Sequence, residues 1–237
     1  MEAKKLRIVF MGTPEFAVPS LEALGKGGYK VVAVVTMLDK PAGRGQKLRE
    51  SEVKIAAREM GLPVLQPEKL RDPEFLTALR ALQPDLGIVI AFRMLPEAVW
   101  ALPRLGTFNL HASLLPQYRG AAPINWALIN GETCTGVTTF LLNHEIDKGA
   151  ILAQRTEPIR PDDNAGTLYE RLMRIGAELV TQTVERIAAG DLQPVEQSPA
   201  GEETLRPAPK IFRENCEIDW SETGEPVSYT HLTLPTT

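Results

Sequence analysis

The chain has 237 residues, 43% of them hydrophobic, enough for one sizeable domain plus at most a fragment of a second. Its formal net charge of -4 excludes a global basic field, although a local basic loop can still meet phosphates. There is no bilayer-length apolar run, no signal-peptide pattern and no metal-ligand spacing around Cys134 and Cys216. These absences lead to the expectation of a cytoplasmic, non-membrane protein with reduced cysteines and no metal.

Residues 6–11 read as a buried strand ending at Gly12. Thr13 then predicts an N-cap, Pro14 a first helical position and Glu15 an acidic first turn, for a helix running to about Gly25. Residues 29–36 form a second strand, and residues 37–49 a polar loop with glycines and cations. Ser51 caps a helix that stops at Gly61, residues 62–65 are a short strand, and Asp72-Pro73-Glu74 opens another helix. The apolar run 85–92 is a central strand buried on both faces. A short helix at 96–102 and a strand at 106–111 follow, then a helix at 122–130 and strands at 136–142 and 150–158. Residues 164–190 hold a long helix with Leu168, Leu172, Ile175, Leu179 and Val180 on its apolar face. Strands alternating with helices predict an α/β fold, a doubly wound, mostly parallel sheet with helices on both faces. The turn Gly12-Thr13-Pro14 is not G-x-G-x-x-G, so a dinucleotide site has little support. Ligands bind such sheets at the carboxyl ends of strands, which places residues 92–96, residues 109–116 and the loop near Asp147 on one rim.

Asn109 and His111 are the candidate chemistry on that rim. Residues i and i+2 of a strand point to the same face, so the amide and the imidazole can converge on one reacting centre while Leu110 enters the other layer. Asn donates to a developing oxyanion, and His exchanges protons near neutral pH. Taken singly, His111 reads as a structural histidine, Asn109 as a strand-end cap and Asp147 as a turn residue before Gly149. The run Ser113-Leu114-Leu115-Pro116, continuing through Gln117-Tyr118-Arg119-Gly120-Ala121-Ala122-Pro123, lifts the pair above those readings.

These residues resemble the methionyl-tRNA formyltransferases, within the wider class of 10-formyltetrahydrofolate-dependent formyltransferases. Four segments carry the likeness: residues 9–16 (Val-Phe-Met-Gly-Thr-Pro-Glu-Phe), 39–45 (Asp-Lys-Pro-Ala-Gly-Arg-Gly), 109–123 and 145–149 (Glu-Ile-Asp-Lys-Gly). The resemblance implies formyl transfer from 10-formyltetrahydrofolate, as co-substrate, to the methionine α-amine of initiator methionyl-tRNA. It implies Asn109, His111 and Asp147 as catalytic residues. Asp147 orients His111 and relays a proton to the leaving N10 through water. Ser113, Leu114, Leu115, Pro116, Phe92 and Met94 line the folate pocket, and Lys40, Arg44 and Lys47 meet tRNA. Arg119 has three open roles: pairing with Asp147, contacting substrate, or holding its loop. His144 matches no family position and is expected at the surface. Glu145, Lys148 and the segment 92–96 depart from the family pattern.

The resemblance also implies a catalytic domain over residues 1–205, with residues 206–226 as a linker and the start of a truncated C-terminal β-barrel domain. Residues 208–212 are expected to expose apolar surface. Residues 227–237 read as a non-native tail, because Val227-Ser228-Tyr229-Thr230-His231-Leu232 looks like a translated sequencing adapter or transposon end. A monomer is expected. Two other readings stay open: formylation of a small amine, an amino sugar or glycinamide ribonucleotide, by the same core, and a non-catalytic folate- or RNA-binding module.

Overall fold

A computed structural model describes residues 2–42, 47–197 and 205–212. In chain order the elements are β1 (Ile8–Gly12), α1 (Val18–Lys26), β2 (Val31–Val35), β3 (Lys40–Ala42), β4 (Lys47–Arg49), α2 (Glu52–Glu59), β5 (Val64–Leu65) and α3 (Pro73–Ala81). They continue as β6 (Leu86–Ile90), α4 (Glu97–Trp100), β7 (Thr107–His111), α5 (Pro123–Ile129), β8 (Cys134–Leu141), β9 (Ile151–Pro158) and α6 (Ala165–Ala189).

The main sheet has the order β5-β2-β1-β6-β7-β8-β9. Its first five strands are parallel, and β8 and β9 add as an antiparallel edge. The strand order reverses between β1 and β6, which makes their carboxyl ends the switch point where open α/β sheets take ligands. Side-chain alternation splits the core into two layers. Ile8 and Phe10 of β1 pack with Leu21, Ile88, Phe108, Leu172 and Val180, whereas Val9 and Met11 pack with Phe75, Leu79, Val89 and Val99. Asn109 stands beside Val89 in register, and Val89 beside Met11, so Asn109 and His111 belong to the second face.

Where helix starts carry a local signal, the predicted ends are the observed ones. Ser51 Oγ accepts the Lys54 amide, and Asp72 accepts the Glu74 amide. Asn164 and Thr167 close a capping box on α6, and Gly190 ends that helix at φ 75°. At the first helix the sequence reading fails. Pro14 is extended (φ -80°, ψ 170°), a 3-10 turn occupies Glu15–Ala17, and the proline in the first turn of α1 is Pro19. Thr13 does not cap α1, and its hydroxyl is buried without a partner among the described residues.

The polar stretch expected as a loop is a two-stranded ribbon, with Lys40 opposite Arg49, Pro41 opposite Leu48 and Ala42 opposite Lys47. Leu48 is exposed, so the ribbon offers no alternation to read from sequence. Its base is pinned instead: Asp39 accepts Lys54 Nζ at 2.6 Å and Gln66 Nε2 at 2.8 Å. The Lys54 hydrogen bond is the first cause holding the Asp39 carboxyl below its ordinary range.

Beyond α6 the chain returns to the sheet. Val195 pairs with Ile151, and Ala208 with Gly120. Ala208 is fully buried, which corrects the expectation for this part of segment 208–212, while Phe212 is exposed as expected. Burial follows from backbone pairing: Ala208 donates to the Arg119 carbonyl and accepts from the Ala122 amide. Cys216 and the tail 227–237 lie outside the described residues; Cys134 is a free, exposed thiol.

Candidate active site

Two turns and one strand end build the site. β7 delivers Asn109 and His111. Asn109 is half-buried, and its Oδ1 is buried with no hydrogen-bond partner among the described residues. A strand-end cap would have a partner, so that bland reading loses ground. His111 is 7% exposed, and its Nε2 lies 2.8 Å from the Tyr118 carbonyl oxygen. A carbonyl only accepts, so Nε2 carries the hydrogen and Nδ1 is the ring position left to exchange a proton.

Tyr118 takes φ 59° to present that carbonyl, and the side chain anchors the turn: its hydroxyl donates to Glu132 at 2.5 Å and accepts from Asn130. Sequence reasoning passed over Tyr118 because its contribution is a backbone oxygen, which any residue type could supply. Burial is the first cause raising the Tyr118 phenol above its ordinary range, with the Glu132 carboxylate acting in the same direction.

Asp147 comes from the β8–β9 connection. It also has a left-handed backbone, φ 53°, and its Oδ2 accepts the Gly120 amide at 3.1 Å. His111 and Asp147 therefore anchor on the same segment, residues 118–120. They are not within 4 Å of each other as an ion pair, so in this structure the Tyr118 carbonyl holds the imidazole, the task the sequence reading gave to Asp147. Arg119 holds its loop: Nε reaches the Asp147 carbonyl at 3.1 Å and Gln197 Oε1 at 3.0 Å. Gln197 was not singled out in the sequence, since no motif surrounds it. Gly149 lets the connection close, because a Cβ there would sit 1.6 Å from the Leu141 carbonyl oxygen.

The Ser113–Pro116 turn is stiffened from within. Ser113 Oγ donates to the Gln117 carbonyl, Thr138 Oγ1 bonds both the Ser113 carbonyl and the Leu115 amide, and Gln154 donates to the Leu115 carbonyl. Those polar groups are already paired, so the turn offers shape rather than hydrogen bonds; Leu115 is buried and the Leu115-Pro116 bond is cis. Phe92 is half-buried against the second core layer, with the Arg93 guanidinium 5.8 Å over its ring, and Met94 is 74% exposed. A cavity of about 570 Å³ lies beside the turn, lined by Leu114, Gln117, Tyr118, Glu132, Cys134, Thr135 and Arg206. It does not include Asn109, His111 or Asp147, so its size does not make it the reaction centre.

Two departures from the family pattern, Glu145 and Lys148, are exposed. Glu145 and Lys148 pair with each other at 2.7 Å, and His144 packs edge-on against Trp100. Of the basic residues, Lys40 is exposed on β3 and Lys47 opens β4, while Arg44 lies outside the described residues.

A mostly parallel sheet that carries Asn109 and His111 at the end of β7, with His111 and Asp147 both anchored on residues 118–120, is the frame of a group-transfer enzyme. The formyl transferase family pattern matches residues 6–184, and the chain belongs to that family. It is 61% identical over 225 residues to the methionyl-tRNA formyltransferase of Parabacteroides distasonis, covering 94% of this chain and 69% of that protein. The Bacteroides fragilis methionyl-tRNA formyltransferase is 59% identical with the same coverage. Among solved structures, the sugar 3N-formyl transferase WlaRD, determined with dTDP and 5-N-formyl-THF, shares the fold. Its TM-score is 0.70 at 19% identity, over 95% of this chain and 77% of that one. Glycinamide ribonucleotide transformylase 1 from Symbiobacterium toebii matches with a TM-score of 0.67 at 18% identity, over 81% and 94%.

Proposed function

We propose that this chain transfers a formyl group from 10-formyltetrahydrofolate to the α-amine of methionine on initiator methionyl-tRNA. The observation that carries the reading is the high identity to methionyl-tRNA formyltransferases along nearly the whole chain, joined to a strand end at which Asn109 Oδ1 is buried without a hydrogen-bond partner among the described residues.

In this reaction the amine nitrogen attacks the formyl carbon and the carbonyl electrons move onto oxygen. The Asn109 amide N–H donates to that oxygen. His111, protonated at Nδ1 while Tyr118 holds Nε2, donates a second, charge-assisted hydrogen bond. The tetrahedral centre then collapses. The C–N10 bond breaks, its electron pair leaves on N10, and a proton from the attacking ammonium returns to N10 through water held by the free oxygen of Asp147. The products are tetrahydrofolate and formylmethionyl-tRNA. Phe92 and Met94 flank the folate, and the Ser113–Pro116 turn shapes its pocket. Lys40 of β3, Lys47 of β4 and Arg44, which lies between them in the sequence, meet tRNA phosphates. The enzyme works in the cytoplasm as a monomer, with residues 1–205 as its catalytic domain and residues 206–226 leading toward a β-barrel.

The small-amine alternative has only fold-level support, from structures at about 20% identity. The test is transfer of labelled formyl from 10-formyltetrahydrofolate to methionyl initiator tRNA, with His111→Ala alongside. Transfer that the variant abolishes is the expected result. Formylation of an amino sugar or glycinamide ribonucleotide in preference to tRNA would overturn the acceptor assignment.

A further inference from the structure

We infer that Gln197 is a positioning residue for Asp147 and thereby sets the rate of formyl transfer without touching either substrate. The inference rests on the catalytic reading of Asp147 given above. After α6 the chain docks beside the start of β9 through two backbone hydrogen bonds, Ile151 N–H to the Val195 carbonyl at 2.7 Å and the reverse at 2.9 Å. That places Gln197, two residues on, against the connection that carries Asp147. Its Nε2 donates to the Asp147 carbonyl at 2.9 Å and to the Gly149 carbonyl at 2.7 Å. Its Oε1 accepts from Arg119 Nε at 3.0 Å and from Arg119 Nη2 at 2.6 Å.

The orientation of this amide is not ambiguous. Arginine never accepts and a carbonyl never donates, so the oxygen must face Arg119 and the nitrogen the two carbonyls. Both N–H groups and both lone-pair directions are used. One side chain thus bridges the Asp147 turn to Arg119, the middle residue of the segment whose Tyr118 carbonyl holds His111 and whose Gly120 amide holds Asp147. The turn needs the clamp. Asp147 sits in the left-handed region that non-glycine residues avoid, and Glu145, Ile146 and Lys148 around it are exposed and bring no packing. The Asp147 carbonyl accepts from Arg119 and from Gln197, and Gln197 adds a second hydrogen bond to the Gly149 carbonyl two residues on.

The experiment compares Gln197→Ala and Gln197→Glu with the unchanged protein, in the native and in the Asp147→Asn background. It reads kcat, KM for each substrate and the thermal midpoint. Gln197→Glu keeps the acceptor for Arg119 and loses both donations, so it separates clamping of Asp147 from anchoring of Arg119. The expected result is a fall in kcat of about tenfold for both variants, the low end of what loss of an outer-shell orienting partner costs. KM for methionyl-tRNA should stay unchanged, and neither variant should slow Asp147→Asn further. Full activity of both Gln197 variants, in a protein that Asp147→Asn disables, would overturn the inference. So would equal fractional losses in both backgrounds with a lowered midpoint, the signature of general loosening. An Asp147→Asn protein as active as the native one would remove the catalytic reading of Asp147 first, and this inference with it.

Discussion

The catalytic rim and the basic ribbon are held in opposite ways. On the rim the imidazole, the Ser113 hydroxyl, the Asp147 carboxylate and the carbonyls of Asp147 and Gly149 all have defined partners. The β3–β4 ribbon is tied down at its base, where Asp39 meets Lys54 and Gln66 and Arg49 meets Glu52, and its Lys40 and Leu48 stand in solvent. The difference fits what each region is proposed to do to its ligand. Bond formation needs groups aimed to within a fraction of an ångström, which a scaffold supplies by pairing the polar atoms that hold them. Phosphate contact is coulombic and tolerant of angle, so charges on a short ribbon with a fixed base suffice.

The largest effect should come from Asn109, whose Oδ1 is buried without a hydrogen-bond partner among the described residues. Asn109→Ala removes the proposed oxyanion donor, its Nδ2 amide. The single-turnover rate of formyl transfer should fall by about 10²–10³ with no loss of thermal stability. A rate within tenfold of native would return Asn109 to the sheet as a structural residue. Next is Gly149→Ala. A Cβ 1.6 Å from a backbone carbonyl oxygen forces the Asp147 turn to move, so it should cost about 1–3 kcal/mol by thermal unfolding and also lower kcat. If kcat survives while stability drops, the rim tolerates more displacement than its hydrogen bonding implies.

On the ribbon the expected change is in binding alone. Arg44→Ala and Lys40→Ala should each weaken tRNA binding, reduce the slope of log affinity against log salt by roughly 1, and leave the rate at saturating tRNA unchanged. An altered rate with an unaltered slope would reverse the contrast between the regions.

How much of this was legible in the sequence divides along the same line. Strands buried on both faces announce themselves as apolar runs; Ser51 caps the helix it was read to cap, and Asp72 and Asn164 cap helices at the starts that were expected, because capping is local chemistry. Asn109 and His111 were legible through the two-residue strand period. The ribbon was not, since two three-residue strands with an exposed leucine carry no period. The first helix was misread because Pro14 and Pro19 both satisfy the same local rule and packing of the Glu15–Ala17 turn decides between them. Tyr118 and Gln197 escaped for another reason. One contributes a backbone carbonyl and the other bridges residues 78 and 50 positions away in the chain, and neither pattern leaves a trace in a single sequence.

The smallest effect on activity should come from the ion cluster at the start of α6, which belongs to neither region. Asp163, with a side chain 4% exposed, receives Arg171 Nη1 at 2.5 Å, the Thr167 hydroxyl and the Arg160 amide, while Glu157 holds the other edge of the guanidinium. The Arg171 hydrogen bonds are the first cause holding the Asp163 carboxyl far below its ordinary range. As pH falls, the unfolded chain takes up the proton near pH 3.9 while the folded one resists, so the contribution is fully present well above that value and is lost progressively below it. Asp163→Asn should therefore lower stability by about 2 kcal/mol at pH 7, and denaturant curves of native and variant should converge as pH drops below 4. The kcat at pH 7 should not move. A stability difference that stays undiminished as pH falls from 7 to well below 4 would mean that packing and capping, rather than the charge, carry the cluster. A changed kcat would mean that the α6 N-terminus reaches the rim, and the two-region picture would have to include it.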